Sequence, residues 1–434
     1  MKNLKYKILV FALLLSVVVI AQQTPAPKQT KDIAIFGATA HIGDGTVIEN
    51  SCLIIKDGKI ATIASAEQVK FNVKGMDIIT ATGQHIYPGF IAPNTTLGLV
   101  EVDAVRASDD ADEVGAMNPH IRSLIAYNTE SKVVESMRPN GVLMGQITPR
   151  GGRISGTSSV VQFDAWNWED AVIKEGDGIH LNWPSSFSRG RWWLGEPSNL
   201  KVNEEYKKQV DELVAYCNES KVYHSGNQSP KHLPFEALQG LFDGSKTLFI
   251  HVDSEKGITD AIHFSKENDV KNMVIVGGYE ADKVAALLKQ HNIPLLLQRV
   301  HSEPKSDDDD YDFPFKQAKQ LVDAGVLVGL ENAGSMERMN ARNLPFLAGT
   351  CAAYGLTKEQ ALSLITLNTA KILGIEDTVG SLEVGKDATL FISEGDALDM
   401  RTNKLTKAFI QGRDISLESH QTELYKRYSN KYKK

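Results

Sequence analysis

The chain has 434 residues, of which 42% are apolar and 23% charged, and a formal net charge of −7. That length allows a large core in two or three domains or one barrel with attachments; the composition excludes a disordered chain, and the acidic balance argues against a nucleic-acid partner. Residues 1–21 hold three lysines and no acid, so removing them takes the charge to −10. Lys2, Lys5 and Lys7 precede the apolar run Ile8–Ile20 and the small residue Ala21. This is the layout of a secretory signal peptide, and the run is short for a membrane span. The expectation is an exported protein, periplasmic or secreted, cleaved near Ala21 and free of the membrane afterwards. Cys52, Cys217 and Cys351 are widely scattered and fit no zinc spacing, so buried free thiols are expected.

Residues 22–31 are polar and Pro-bearing, a linker. From Asp32 to His85, short β-branched runs such as Ile33–Phe36 and Cys52–Ile55 alternate with Asp-Gly and Gly turns, as in strands and hairpins. The Thr148–Ser159 stretch is rich in glycine and hydroxyls and reads as a loop whose Arg150 and Arg153 suit a carboxylate-bearing ligand. All five tryptophans fall between Trp166 and Trp193, where they suit an insertion packed on the body, a pocket or a partner surface. Strands are expected at Leu248–Ile250, Met273–Val276, Pro294–Leu297 and Val326–Leu330, with an amphipathic helix at Glu280–His291. Ser306–Asp312 is an acidic run expected to be a solvated loop. A helix should begin near Lys358 behind a Thr357/Gln360 capping box and end at Gly374. Strands resume at Thr389–Ile392 and Lys407–Ile410, and the basic tail Glu418–Lys434 suits a surface helix.

Tyr87-Pro88-Gly89-Phe90-Ile91-Ala92-Pro93-Asn94-Thr95-Thr96-Leu97 resembles the first-strand signature of the metal-dependent amidohydrolase superfamily, in which Pro-Gly-Phe-Ile-Asp-Ala leads to His-x-His. Ala38–Gly45 and Ile54–Ile60 resemble the opening strands of its imidazolonepropionase-like branch. Gly380-Ser381-Leu382-Glu383-Val384-Gly385-Lys386-Asp387-Ala388 is similar to its return strand. The resemblance implies a (β/α)8 TIM-type barrel over 88–374, a small β-sandwich built from 32–87 and 375–417, and a tail at 418–434. It further implies hydrolysis of a non-peptide, cyclic amide-type C–N bond, with catalytic groups at the C-terminal ends of the barrel strands.

By that resemblance the two imidazole positions of the first strand are Asn94 and Thr96, and the strand-five His is His251. Gly277-Gly278 stands at the strand-six position, and Asn332 or Ala333 at the strand-eight Asp, with Glu331 the carboxylate beside them. An amide and a hydroxyl are poor ligands for zinc. The expectation is therefore no metal residue set and no cofactor, with zinc or another divalent ion only in a rebuilt site. His251 and Glu331 are the candidate acid/base groups, and Asn94, Thr96, Asn332 and Arg153 the candidate pocket residues. His120, His180, His224, His232, His263, His291 and His301 show no His-x-His or His-x3-His spacing. Two functions stay open: a hydrolase, or a metal-free binding or regulatory partner of an intact amidohydrolase. The partners to consider are a small-molecule ligand, a second copy and that intact homologue.

Overall fold

The computed structural model describes residues 24–68, 72–190, 194–196 and 199–433, so the expected signal peptide and Arg191-Trp192-Trp193 lie outside the described residues. No described helix is long and apolar enough to cross a membrane. The first half of a composite sheet comprises β1 (Ile33–His41), β2 (Val47–Lys56), β3 (Lys59–Ser65), β4 (Asp77–Thr80) and β5 (His85–Pro88). Asp57 and Gly58 have φ of 49° and 79°, the left-handed pair that a tight hairpin needs, and this is why Asp-Gly joins β2 to β3.

The barrel sheet follows, from β6 (Phe90–Thr95), β7 (Val142–Ile147), β8 (Ile154–Gln162) and β9 (Val172–Asn182). A small hairpin, β10 (Phe187–Arg189) and β11 (Leu200–Val202), projects beyond it. The barrel resumes with β12 (Thr247–Val252), β13 (Met273–Gly277), β14 (Leu295–Leu297) and β15 (Val328–Leu330). Finally β16 (Leu390–Ser393), β17 (Leu405–Ile410) and β18 (Arg413–Asp414) complete the composite sheet. Its order is β18-β17-β16-β5-β1-β2-β3, with β4 also on β1. The seam between the chain's two ends is the antiparallel β5–β16 pair, in which Ile86 opposes Ile392, with both side chains buried in the sheet's own core.

Two features depart from the sequence reading. The eight barrel strands are not all parallel, because β8 runs antiparallel to both β7 and β9. Half of the Thr148–Ser159 stretch expected as a loop, from Ile154 on, is therefore strand. Ser155, Thr157, Ser158 and Ser159 are all buried, and the hydroxyls that signal a loop are satisfied on both faces of the strand, Thr157 by the Pro119 carbonyl and Ser158 by Asp177. Likewise the helix expected from Lys358 to Gly374 is two, Lys358–Ser363 and Leu367–Leu373, with the capping box intact at the first and Gly374 in the left-handed cap of the second. The break has a structural use. The Leu364 carbonyl accepts from the Leu330 N–H at 3.1 Å and the Ile365 carbonyl from the Ile91 N–H at 3.0 Å, so this segment fills the gap between β15 and β6.

The remaining expectations on surface segments divide. Residues His420–Tyr432 form an exposed capped helix. The acidic run is anchored rather than simply solvated: Asp309 accepts from the Tyr279 hydroxyl, and Asp312 is buried against Lys316 at 2.7 Å. Trp183 is buried and Trp166 exposed. All three cysteines are free and buried.

The barrel and composite sheet meet closely at the helix Leu344–Ala353, where a Cβ on Gly349 would collide with the backbone carbonyl of Leu398. Alanine ordinarily gains about 1 kcal/mol over glycine inside a helix. Here a backbone oxygen cannot rotate away, and overpacking costs about 1–3 kcal/mol. Gly349→Ala is therefore expected to lower the urea midpoint; an unchanged or raised midpoint contradicts the close approach.

Candidate active site

The C-terminal ends of the barrel strands enclose a cavity of about 450 Å³ lined by Asn94, Trp183, His251, Gly277, Gln298 and Glu331. Asn94 ends β6 with φ 48°, a left-handed conformation that asparagine tolerates. That turn points its amide between two charges. Its Nδ2 donates to Glu331 Oε2 at 2.9 Å, while its Oδ1 and backbone carbonyl accept from Arg150 at 2.9 and 2.8 Å. Arg150 continues to Glu337 Oε2 at 3.1 Å. Glu337 Oε1 in turn accepts from the Thr95 hydroxyl at 2.7 Å and the Thr96 N–H at 2.6 Å. A second cavity of about 580 Å³ lies beyond Arg150, bordered by Thr96, Asp103, Asp112, Glu337 and Arg338.

On the opposite wall, β9 and β12 pair so that Asn182 is level with His251 and His180 with Phe249. His180 Nδ1 is 2.9 Å from His251 Nε2, and His180 Nε2 is 3.0 Å from Ser158 Oγ. Ser158 donates to Asp177 Oδ1 at 2.7 Å. Gln146 links the two walls: its Oε1 accepts from the Asn94 N–H at 3.0 Å and its Nε2 donates to Asp177 Oδ2 at 2.7 Å.

Burial dominates the electrostatics. It lifts the Glu331 carboxyl to about 7, against the opposing pull of the Ala333 N–H, Asn94 and Arg150. It lowers His251 to about 3, helped by the Arg150 charge, and holds His180 well below the usual histidine range. Asp177 is raised by burial although Ser158 and Gln146 donate to it. Both imidazoles are thus neutral near pH 7, and Glu331 is poised to exchange a proton there.

Of the sequence-derived residues, His251, Glu331 and Asn94 line the main cavity, whereas Thr96 borders the second. Asn332 follows Glu331, and its buried Nδ2 has no hydrogen-bond partner among the described residues. Arg153 donates to the Asn182 carbonyl at 2.7 Å, so Arg150 is the guanidinium that grips the site. His180, Asp177, Ser158, Gln146, Gln298 and Glu337 escape the sequence reading. A signal for His180 exists, since Gly178, His180 and Asn182 alternate with Ile179 and Leu181 as on a strand with one polar face. The Arg150–Glu337 contact spans most of the barrel sequence and has no local signal.

The residues present do not fit a divalent centre of the family type. No group of three or more His, Cys, Asp or Glu is placed to hold a metal among the described residues. The His180 and His251 nitrogens bond to each other, and Gly277 has φ 96°, a conformation that disfavours any side-chain ligand at the strand-six position.

The model of the amidohydrolase family matches residues 191–415, more than half of the chain, and the chain belongs to that family. It is similar to an imidazolonepropionase of Clostridium tetani, 24% identical over 80% of this chain and 85% of that protein. One from Flavobacterium johnsoniae is 21% identical over 85% and 90%. The amidohydrolase tasK of Hapsidospora irregularis is 24% identical over 81% of this chain, but the match spans only 40% of that protein's length. Among solved structures, an amidohydrolase from Thermotoga maritima has a TM-score of 0.76 and 22% identity over 88% of this chain and 99% of that one, a likeness of fold.

The Glu331 shift has a consequence for stability. Its folded pKa of about 7 lies above the ordinary 4.5, so protonation favours the folded state. Stability is present in full below pH 4.5 and is lost as pH rises through about 7. Glu331→Gln keeps an oxygen for Asn94 and Ala333 but removes the ionisation. It is expected to be more stable than the parent by up to about 3 kcal/mol above pH 7, and no more stable below pH 4.5. Urea unfolding at both pH values checks this.

Proposed function

We propose that this amidohydrolase-family protein is exported and binds a small amide-bearing molecule, a cyclic amide above all, at the barrel mouth without a metal-bound water. The observation that carries the proposal is the Glu331–Asn94–Arg150–Glu337 chain, which satisfies the first-strand positions with hydrogen bonds among protein groups. The cavity beside it keeps polar groups for a ligand. Nε2 of Gln298 is buried with no partner among the described residues, a donor suited to a carbonyl, and Glu331 and His251 border the same space. The imidazolonepropionase-like relatives support an amide as the ligand class. Export is supported by Lys2, Lys5 and Lys7 ahead of the apolar run Ile8–Ile20. A binding protein of this kind acts as a carrier or as the regulatory partner of an intact homologue.

A second reading, hydrolysis of a cyclic C–N bond, is favoured by one observation: the Glu331 carboxyl is held at about 7, where a general acid/base works at neutral pH. In that reading Glu331 takes a proton from water as the water oxygen adds to the amide carbonyl carbon, and returns it to the ring nitrogen as the C–N bond breaks.

Thermal-shift titration with hydantoin and dihydrouracil, before and after exhaustive chelation, tests the proposal. Stabilisation that survives chelation and disappears in Gln298→Leu is expected. Stabilisation that requires added zinc, or none with either probe, contradicts it; turnover of either probe lost in Glu331→Gln moves the assignment to the second reading.

A further inference from the structure

The hydrogen bonds along one wall of the barrel fix which face of His251 the cavity sees. Gln146 is the starting point. Its Oε1 accepts from the Asn94 backbone N–H at 3.0 Å, so its amide cannot flip and its Nε2 must point at Asp177. The Asp177 carboxylate then accepts at both oxygens, from Gln146 at 2.7 Å and from Ser158 Oγ at 2.7 Å. The one Ser158 proton is directed at Asp177, with the Gly178 carbonyl a longer second acceptor at 3.2 Å, and in either case Ser158 accepts from His180 Nε2 at 3.0 Å. His180 is neutral and carries its proton on Nε2, leaving Nδ1 as an acceptor. The 2.9 Å contact must therefore be donated by His251 Nε2, and His251, also neutral, is left with a bare Nδ1.

Nδ1 of His251 has no hydrogen-bond partner among the described residues, and the ring lines the main cavity. Two strands further along the same wall, past the side-chain-free Gly277, stands the Nε2 donor of Gln298, without a partner among the described residues. The geometry points to an Asp177–Ser158–His180 relay that locks His251 as a hydrogen-bond acceptor toward the cavity, so that the ligand group meeting His251 is an N–H or O–H and the group meeting Gln298 a carbonyl. The ligand half of this statement rests on the cavity being the binding site proposed above; the relay itself does not. Asp177, Ser158 and His180 are positioning residues: they touch no ligand and act through the proton on His251.

The relay makes a specific demand on the Asp177→Asn variant. Because Gln146 cannot flip, the new side-chain oxygen must face Gln146 Nε2 and the new NH2 must face Ser158. Ser158 then donates to His180 at 3.0 Å in preference to the longer 3.2 Å contact with the Gly178 carbonyl, and both imidazoles change tautomer, so His251 presents an N–H to the cavity.

Long-range 1H–15N correlation spectra of ligand-free protein carrying 15N-histidine read this directly, with His251→Gln and His180→Gln assigning the signals. The expected result is Nε2–H on both rings in the parent and Nδ1–H on both in Asp177→Asn. A parent protein with Nδ1–H on His251, or an Asp177→Asn protein with unchanged tautomers, overturns the relay. Should Asp177→Asn fail to fold, the parent spectrum decides alone, since only Nε2–H on both rings is compatible with the relay. A merely structural role for Asp177 leaves both tautomers unmoved. Because no ligand is present, failure of hydantoin to bind leaves this result intact, and a failed relay leaves the binding reading to its own test. With hydantoin bound, a second check follows: 1,3-dimethylhydantoin, which has no N–H, is expected to bind the parent at least tenfold more weakly, and comparable affinities overturn the ligand half.

Discussion

Carboxylates inside a barrel have to be compensated, because a buried ion without partners costs several kcal/mol. The interior of this barrel holds Asp177, Glu331 and Glu337, all buried, and its described mouth meets them chiefly with Arg150 and neutral amides. The guanidinium reaches Glu337 directly and Glu331 only through Asn94. That difference in distance decides the chemistry. Glu331 has neutral donors alone in direct contact, and burial wins, lifting its carboxyl to about 7. Burial likewise keeps His251 neutral, helped by the Arg150 charge.

The fold supplies this network through its least regular features. The antiparallel β8 puts Ser158 opposite Gly178, beside Asp177, and close to Gln146 on β7, which a right-handed crossover at that place would not do. The left-handed backbone of Asn94 turns its side chain from the strand axis toward Glu331. The carbonyls of Leu364 and Ile365, by accepting from the Leu330 and Ile91 N–H groups, complete the barrel wall next to β6 without adding a strand. The antiparallel β8 and the turn at Asn94 are thus connected to the polar interior, while the apolar core, which includes Leu364 and Ile365, carries the rest.

Where residues interact locally, the sequence was a good guide: the Asp57-Gly58 turn, the Thr357 capping box, the Gly374 cap and most strands in the parallel half of the barrel are legible from spacing alone. The family, too, is readable from short motifs in order. What could not be read shares one cause. Ser158, His180 and Asp177 are polar residues on strands whose inward face is polar, so hydropathy assigns β8 to a loop. Arg150 was visible, yet its choice over Arg153 depends on Glu337, far away in the chain. Helix periodicity runs smoothly through Leu364 and Ile365, and the helix stops there because their carbonyls accept from the Leu330 and Ile91 N–H groups of the distant barrel strands.

The central claim is that hydrogen bonds among Asn94, Arg150, Glu331 and Glu337, with His180 bonded to His251, stand where the family places a divalent metal. Elemental analysis of protein produced in zinc- and manganese-supplemented medium, with His251→Ala as control, tests it most directly. The account predicts no stoichiometric metal in either protein. About one metal per chain in the parent, lost on replacing His251, would contradict it and restore metal-assisted hydrolysis as the leading chemistry.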